Sequence, residues 1–152
     1  MKKILVTGAG GFLGNKLVEL LSKLEEVEVT PTSRNPNSES DAWKDLAYDH
    51  LDITNPSEVS AIFDKYQPDV VINTAAMSGV DACEESKVEC WKVNTEALQS
   101  LSAKANQFGA HLIHLSSDFV FDGEQGPYSE GDITNPLSHY GYSKLSGEKV
   151  VS

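Results

Sequence analysis

A cluster of glycines eight residues into the chain constrains its fold more than any other feature. Thr7-Gly8-Ala9-Gly10-Gly11-Phe12-Leu13-Gly14 follows the short apolar run Lys3–Thr7 and precedes a segment with leucines at helical spacing. An apolar run that stops at glycines reads as a buried parallel strand. Gly8, Gly11 and Gly14 stand three apart. Such a loop makes a tight turn, lets a ligand touch backbone and packs a helix closely on a strand. The third glycine falls inside the helix, where it costs about 1 kcal/mol relative to alanine, so a merely mobile turn would not need it. The free N–H groups at the start of that helix, with the positive end of its dipole, form a seat for a pyrophosphate.

The remaining chain alternates strands with helices. Leu13, Leu17, Leu20, Leu21 and Leu24 are expected on the inner face of the first helix. Val27–Ser33 reads as a second strand, with a bulge or early end at Pro31, which lacks a ladder donor. Asn35–Asp45 reads as a polar loop and Ala47–Asp52 as a third strand. Asn55, Pro56 and Glu58 mark a helix start, Glu58 reaching back as in a capping box. Val59, Ile62, Phe63 and Tyr66 follow at helix spacing. Asp69–Asn73 reads as a fourth strand and His111–Ser116 as a fifth. Between them Val88–Phe108 reads as one long helix, with Cys90, Ala97, Leu98, Leu101, Ala105 and Phe108 inside and Gly109 ending it. Phe119–Ser138 is a long Gly/Pro-rich loop, a kind that is usually functional or disordered. A last helix begins near His139 and is still running at Ser152. This order predicts an α/β fold, a doubly wound parallel sheet with helices on both faces, in one domain over residues 1–152. Ligands of such sheets sit at the carboxyl ends of the strands, where every chemically suggestive residue of this chain falls.

Twelve basic and twenty-three acidic side chains give a formal charge of −11. That argues against a nucleic-acid binder, which needs a basic face. An anionic small ligand remains compatible, because clustered backbone N–H groups hold phosphate even in an acidic protein. No apolar run approaches the roughly 20 residues that span a bilayer. Met1–Val6 resembles the start of a signal peptide, but its apolar stretch is cut short at Thr7, and a first strand is the better reading. Cys83 and Cys90 match no metal or CxxC spacing and read as reduced thiols on one helix face. His111 and His114, three apart on a strand, face opposite sides. No metal site and a cytoplasmic location are expected.

Two further clusters carry chemistry. Ser33-Arg34 closes the second strand, about 20 residues past the glycines, where an NAD site usually places an acid on the ribose 2′-hydroxyl. No carboxylate stands there to repel a 2′-phosphate, and a guanidinium stands there to pair with it. NADP(H) is therefore expected over NAD(H), although a surface arginine is the competing reading of Arg34. Tyr140 and Lys144, four apart at the start of the last helix, share a face. A nearby ammonium stabilises a phenolate, so Tyr140 is suited to giving a proton to a forming alkoxide. Ser117, at the end of the fifth strand, is placed to hydrogen-bond the same oxygen.

The GxxGxxG spacing resembles the extended branch of the short-chain dehydrogenase/reductase superfamily, with its TGxxGxxG motif. That resemblance implies a Rossmann-type NAD(P)-binding domain and a Ser117/Tyr140/Lys144 catalytic triad, with Lys144 also holding the nicotinamide ribose. It implies cofactor contacts from Gly8, Gly10, Gly11, Phe12, Leu13 and Gly14, and from Asp52 at the adenine with Ile53 beside it. Asn73-Thr74-Ala75-Ala76 resembles the family's NNAG-like segment, which adds Thr74, Ala75 and Ala76. Asn94 matches a family asparagine on the long helix, with plain helix packing as its alternative role. His114–Gly123 resembles the STDYVFDG stretch of dTDP-4-dehydrorhamnose reductases. Pro127–Glu130, Asn135-Pro136, Tyr140–Glu148 and the set Val80, Asp81 and Glu84 fit the same family. Ser117 replaces a common Thr, Phe119 a Tyr, and Met77 a frequent His.

The resemblance implies NADPH-dependent reduction of a 4-keto-6-deoxy sugar nucleotide by a possible homodimer. It also implies that this chain is truncated, since family members run to nearly twice its length and their later residues form most of the sugar-nucleotide site. Two alternatives stand beside it. One is an NAD-dependent epimerase or dehydratase of the same fold, which an acidic ribose contact would favour. The other is a non-catalytic NADP-binding partner similar to the regulatory β subunit of methionine adenosyltransferase.

Overall fold

The computed structural model describes residues 1–35 and 46–152. Of the expected loop Asn35–Asp45, all but Asn35 lies outside the described residues. Five strands form a parallel sheet: β1 (Lys2–Thr7), β2 (Val27–Ser33), β3 (Asp49–His50), β4 (Val70–Asn73) and β5 (His111–His114). Their order is β3-β2-β1-β4-β5. The chain winds outward from β1 to one edge, then crosses back to β4, so the order reverses between β1 and β4. A crevice opens at the carboxyl ends there.

Helices cover both faces, as the alternation predicts. Helix α1 (Phe12–Leu21) packs on β1 and β2, closing a small core of Val6, Ala9, Val18 and Val29. On the other face α2 (Pro56–Tyr66) and α5 (Ala97–Phe108) close a larger core around Leu5, Phe63, Val71, Leu98 and Leu101. Val150 and Val151 of α6 (His139–Val151) pack against it. The expected inner stripe of α1 is rotated: Gly14 and Val18 are buried, while Leu13, Leu20 and Leu24 are about half exposed. The cause is Gly14, which must face the turn after β1. A Cβ there would lie 2.4 Å from the Gly8 carbonyl oxygen.

Several boundaries differ from expectation. β2 runs through Pro31 without a bulge, and Pro31 pairs in register with Val6. The Thr32 carbonyl accepts from the Ala9 N–H on the β1 side. Alternation therefore turns the Pro31 nitrogen towards β3, where pairing begins only at Thr32–Asp49. β3 keeps two residues of the expected Ala47–Asp52, and β5 ends at His114 rather than Ser116.

The expected long helix is interrupted. Helix α3 (Val80–Glu85) and α4 (Lys87–Trp91) break at Ser86, and Lys92–Glu96 forms a wider π turn before α5. Cys83 and Cys90 thus sit on different helices, both buried and unbridged. Burial, with Cys90 beside it, pushes the Cys83 thiol up to about 12.

Asn55 caps α2, its side-chain oxygen accepting from the Ser57 and Glu58 N–H groups. The capping box is not formed. Glu58 instead accepts from the Asn55 side-chain amide and from the Asp52 N–H, tying the helix start to the end of β3. Replacing Asn55 by Ala should cost about 1 kcal/mol of stability, seen in urea unfolding as a lower midpoint with an unchanged slope.

Candidate active site

The crevice at the switch point collects most of the residues singled out in the sequence. Gly8, Gly10, Gly11, Ser33, Arg34, Asp52, Ile53, Thr74, Ala75 and Ala76 line one cleft of about 280 Å³, with Asn35, Leu51, Thr54 and Val93. The last four carry no motif. The fold brings them there: Asn35 follows β2, Leu51 and Thr54 follow β3, and Val93 stands in the wide turn before α5.

Gly8 makes the cleft possible. Its φ of +69° is left-handed, and a Cβ there would meet the Ala75 nitrogen at 2.5 Å. The turn therefore presses directly on the segment after β4, and Thr74 ties the two together by donating to the Thr7 carbonyl at 2.7 Å. Helix α1 begins at Gly11 with no side-chain cap and no acid in its first turn. Its first N–H groups and the positive end of its dipole suit an anion. Phe12 is almost fully exposed and Leu13 half exposed beside this end, outside the cleft lining, and Gly14 lies buried beneath it.

At the far end of the cleft the Ser33 hydroxyl bonds to Tyr48 and to the Asn35 carbonyl. Arg34, exposed, lines the same end and is able to reach an anion. The Asp52 carboxylate accepts from the Thr54 N–H and hydroxyl. Burial pushes Asp52 up, but those bonds and the charges of Arg34 and Lys92 outweigh it and hold the carboxyl below its usual range. Lys92, unmarked in the sequence, thus adds a second positive charge near the cleft.

The second group lies between β5 and α6. Ser138 caps α6, accepting from the Gly141 N–H. Tyr140 and Lys144 are both buried. Phe119, two residues past Ser117, sets its ring edge-on to Tyr140 at 5.7 Å. The Tyr140 hydroxyl has no hydrogen-bond partner among the described residues, so it is free for a ligand. The Ser117 oxygen accepts from the Phe119 N–H. Lys144 donates to the Leu115 carbonyl at 2.5 Å and meets His114 Nε2 at 3.3 Å. Burial brings Lys144 down to about 8, against the opposing pull of Glu148 and Cys90. Burial, then the Lys144 charge, brings His114 down to about 4.

Asn94 lies behind these residues and outside the cleft lining. Its amide bonds to the Met77 backbone on both sides and to the Ser143 hydroxyl. It thereby joins the segment after β4 to α6. Thr95 donates to the Ser143 carbonyl, and a Cβ on Gly147 would come within 2.6 Å of the Asn94 carbonyl. The wide turn and the small residues of α6 thus fit each other. Among the described residues no group of three or more His, Cys, Asp or Glu could hold a metal, and no helix is long and apolar enough to cross a membrane.

Comparison with known proteins shows the family and the fold. Residues 1–152 match the family described as RmlD substrate binding domain. A dTDP-4-dehydrorhamnose reductase of Aggregatibacter actinomycetemcomitans is 38% identical over 152 residues, 99% of this chain and 47% of that protein. Methionine adenosyltransferase 2 subunit beta of Bos taurus is 33% identical over 150 residues, 99% of this chain and 42% of that protein. A crystal structure of dTDP-4-dehydrorhamnose reductase from Bacillus anthracis str. Ames in complex with NADP has a TM-score of 0.86 and 31% identity, covering 99% of this chain and 49% of that one. The chain spans about half the length of the relatives it matches.

The depressed His114 value sets a pH dependence. Between about 4 and 6.5 the unfolded chain binds this proton and the folded chain does not. Stability should therefore fall as pH drops through that window, by about 2 kcal/mol after allowing for partial exposure. His114→Gln should flatten that part of the profile relative to wild type in chemical unfolding at matched pH values.

Proposed function

This chain belongs to the RmlD substrate binding domain family, and we propose that it carries the cofactor-binding and proton-donating half of an NADPH-dependent reductase acting on a 4-keto-6-deoxy sugar nucleotide. The observation that carries this reading is the pairing of two features at the carboxyl end of the sheet. An uncapped helix end sits beside the glycine turn, and a buried Tyr140/Lys144 helix stands beyond β4. The names of the relatives supply the substrate class.

The residues present fit such a cofactor. The turn at Gly8 and the start of α1 would hold the pyrophosphate, the Asp52 end of the cleft the adenine, and Arg34 a 2′-phosphate. When bound, NADPH supplies a hydride to the substrate carbonyl carbon. Tyr140 gives the carbonyl oxygen its proton, and its unpartnered hydroxyl is ready to do so. Ser117 donates to the same oxygen and stabilises its developing charge. Lys144 supplies a positive charge beside both and holds the ribose next to them.

A second reading is a non-catalytic binding partner, favoured by the similarity to methionine adenosyltransferase 2 subunit beta. The complete Ser117/Tyr140/Lys144 set favours the enzyme.

Titration with NADPH and NADH, followed by nicotinamide fluorescence, should show tighter binding of NADPH. Arg34→Ala should weaken NADPH about tenfold while leaving NADH nearly unchanged. Equal affinities in wild type would remove the 2′-phosphate assignment. With a 4-keto-6-deoxy sugar nucleotide, Tyr140→Phe should keep cofactor binding and lose turnover by about 10²-fold or more. Measured in a chain of the relatives' full length, retained turnover would overturn the role given to Tyr140, and cofactor binding without any wild-type turnover would favour the non-catalytic partner.

A further inference from the structure

The last rung of the sheet is a polar ladder that ends on the lysine. Thr7, Asn73 and His114 are aligned Cα partners across β1, β4 and β5. Thr7 and Asn73 are fully buried. The Thr7 hydroxyl donates to Asn73 Oδ1 at 2.5 Å, and Asn73 Nδ2 meets His114 Nδ1 at 3.1 Å. His114 Nε2 then meets Lys144 Nζ at 3.3 Å. Thr7 is also the residue that enters the glycine turn.

The proton count along this row is restrictive. Asn73 Nδ2 is a donor, so His114 Nδ1 must accept, and the single proton of a neutral imidazole sits on Nε2. That N–H points at Lys144 Nζ. An ammonium has no lone pair to receive it; an uncharged amine has one. When Lys144 gains its proton, the facing donors are reconciled if the imidazole proton moves to Nδ1, the Asn73 amide turns over so that Oδ1 accepts it, and the Thr7 hydroxyl turns to accept from Nδ2, which leaves Nε2 to accept from the ammonium. We propose that His114 is a positioning residue for Lys144, and that its tautomer switches with the lysine charge through the Thr7–Asn73–His114 row. The Leu115 carbonyl also accepts from Nζ, at 2.5 Å, and gives the lysine a second anchor beside His114.

The other titratable groups acting on Lys144 are Glu148, one turn along α6, and the Cys90 thiol of α4. Glu148 is itself engaged by the Ser116 hydroxyl. Tyr140 lies one turn before Lys144 on α6. The catalytic meaning of the coupling rests on the reading of Lys144 given above; the coupling itself does not.

The test is nitrogen-15 NMR of the His114 ring alongside the Lys144 ε-methylene shifts, across pH 6 to 10, on the 152-residue chain without cofactor. The expected result is the Nε2–H tautomer at high pH and Nδ1–H at low pH, with one midpoint shared with Lys144. Glu148→Gln removes a charge that favours the ammonium, so both midpoints should move down together. A single tautomer throughout, or a tautomer change that does not follow Lys144 in wild type and Glu148→Gln alike, overturns the proposal. NADPH titration of the same samples separates the two failures. Coupling without cofactor binding removes the function reading alone, and binding without coupling removes the role of His114 alone.

Discussion

The close approach of β1 to β4 at Gly8 is the contact from which the rest of the site follows. No side chain fits there, since a Cβ would penetrate the Ala75 backbone. The same turn holds Gly14 against the Gly8 carbonyl, which sets the rotation of α1 and decides which of its residues are buried. The crevice at the switch point, the free helix end and the segment Thr74–Ala76 therefore come from one local geometry. A larger residue at Gly8 would disturb the sheet, the first helix and the cleft together.

An acidic chain can carry an anion site because its net charge and its local field are different quantities. The −11 is a property of the whole sequence. At the cleft the first turn of α1 has no acid, and Arg34 and Lys92 act on Asp52. Exposed pairs such as Lys16–Glu19–Lys23 absorb acidic charge elsewhere, and such pairs add little stability.

Helix α6 is held mainly by polar contacts. Its buried residues are Tyr140, Gly141, Ser143, Lys144 and Gly147, not a leucine stripe. Ser143 receives Asn94, and Lys144 reaches Leu115 and His114. Ser143 and Lys144 need these partners, because an orphaned buried polar group would cost about 1–3 kcal/mol. Burying a lysine destabilises its charged form, and the lowered value of Lys144 records that cost. The arrangement fixes the helix in direction and depth, which the proton donor proposed at Tyr140 would require.

The order of strands and helices, the glycine turn and the Tyr140/Lys144 pair were legible in the sequence, because each depends on local chemistry: periodicity, glycine spacing and a four-residue helical repeat. The Asn55 cap was legible for the same reason. Other features arose only in the folded chain. The phase of α1 follows from Gly14 meeting Gly8, not from its leucines. Pro31 is tolerated because its nitrogen faces the side where β3 has not yet begun. The wide turn at Lys92–Glu96 accommodates α6 through Gly147, a contact across more than fifty residues. His114 was legible only as a strand residue; its place between Asn73 and Lys144 comes from the register of β4 with β5. Register and helix rotation are set by packing between segments distant in sequence. Periodicity and glycine spacing act within one segment and can be read along the chain, whereas the meeting of distant side chains exists only once those segments pack.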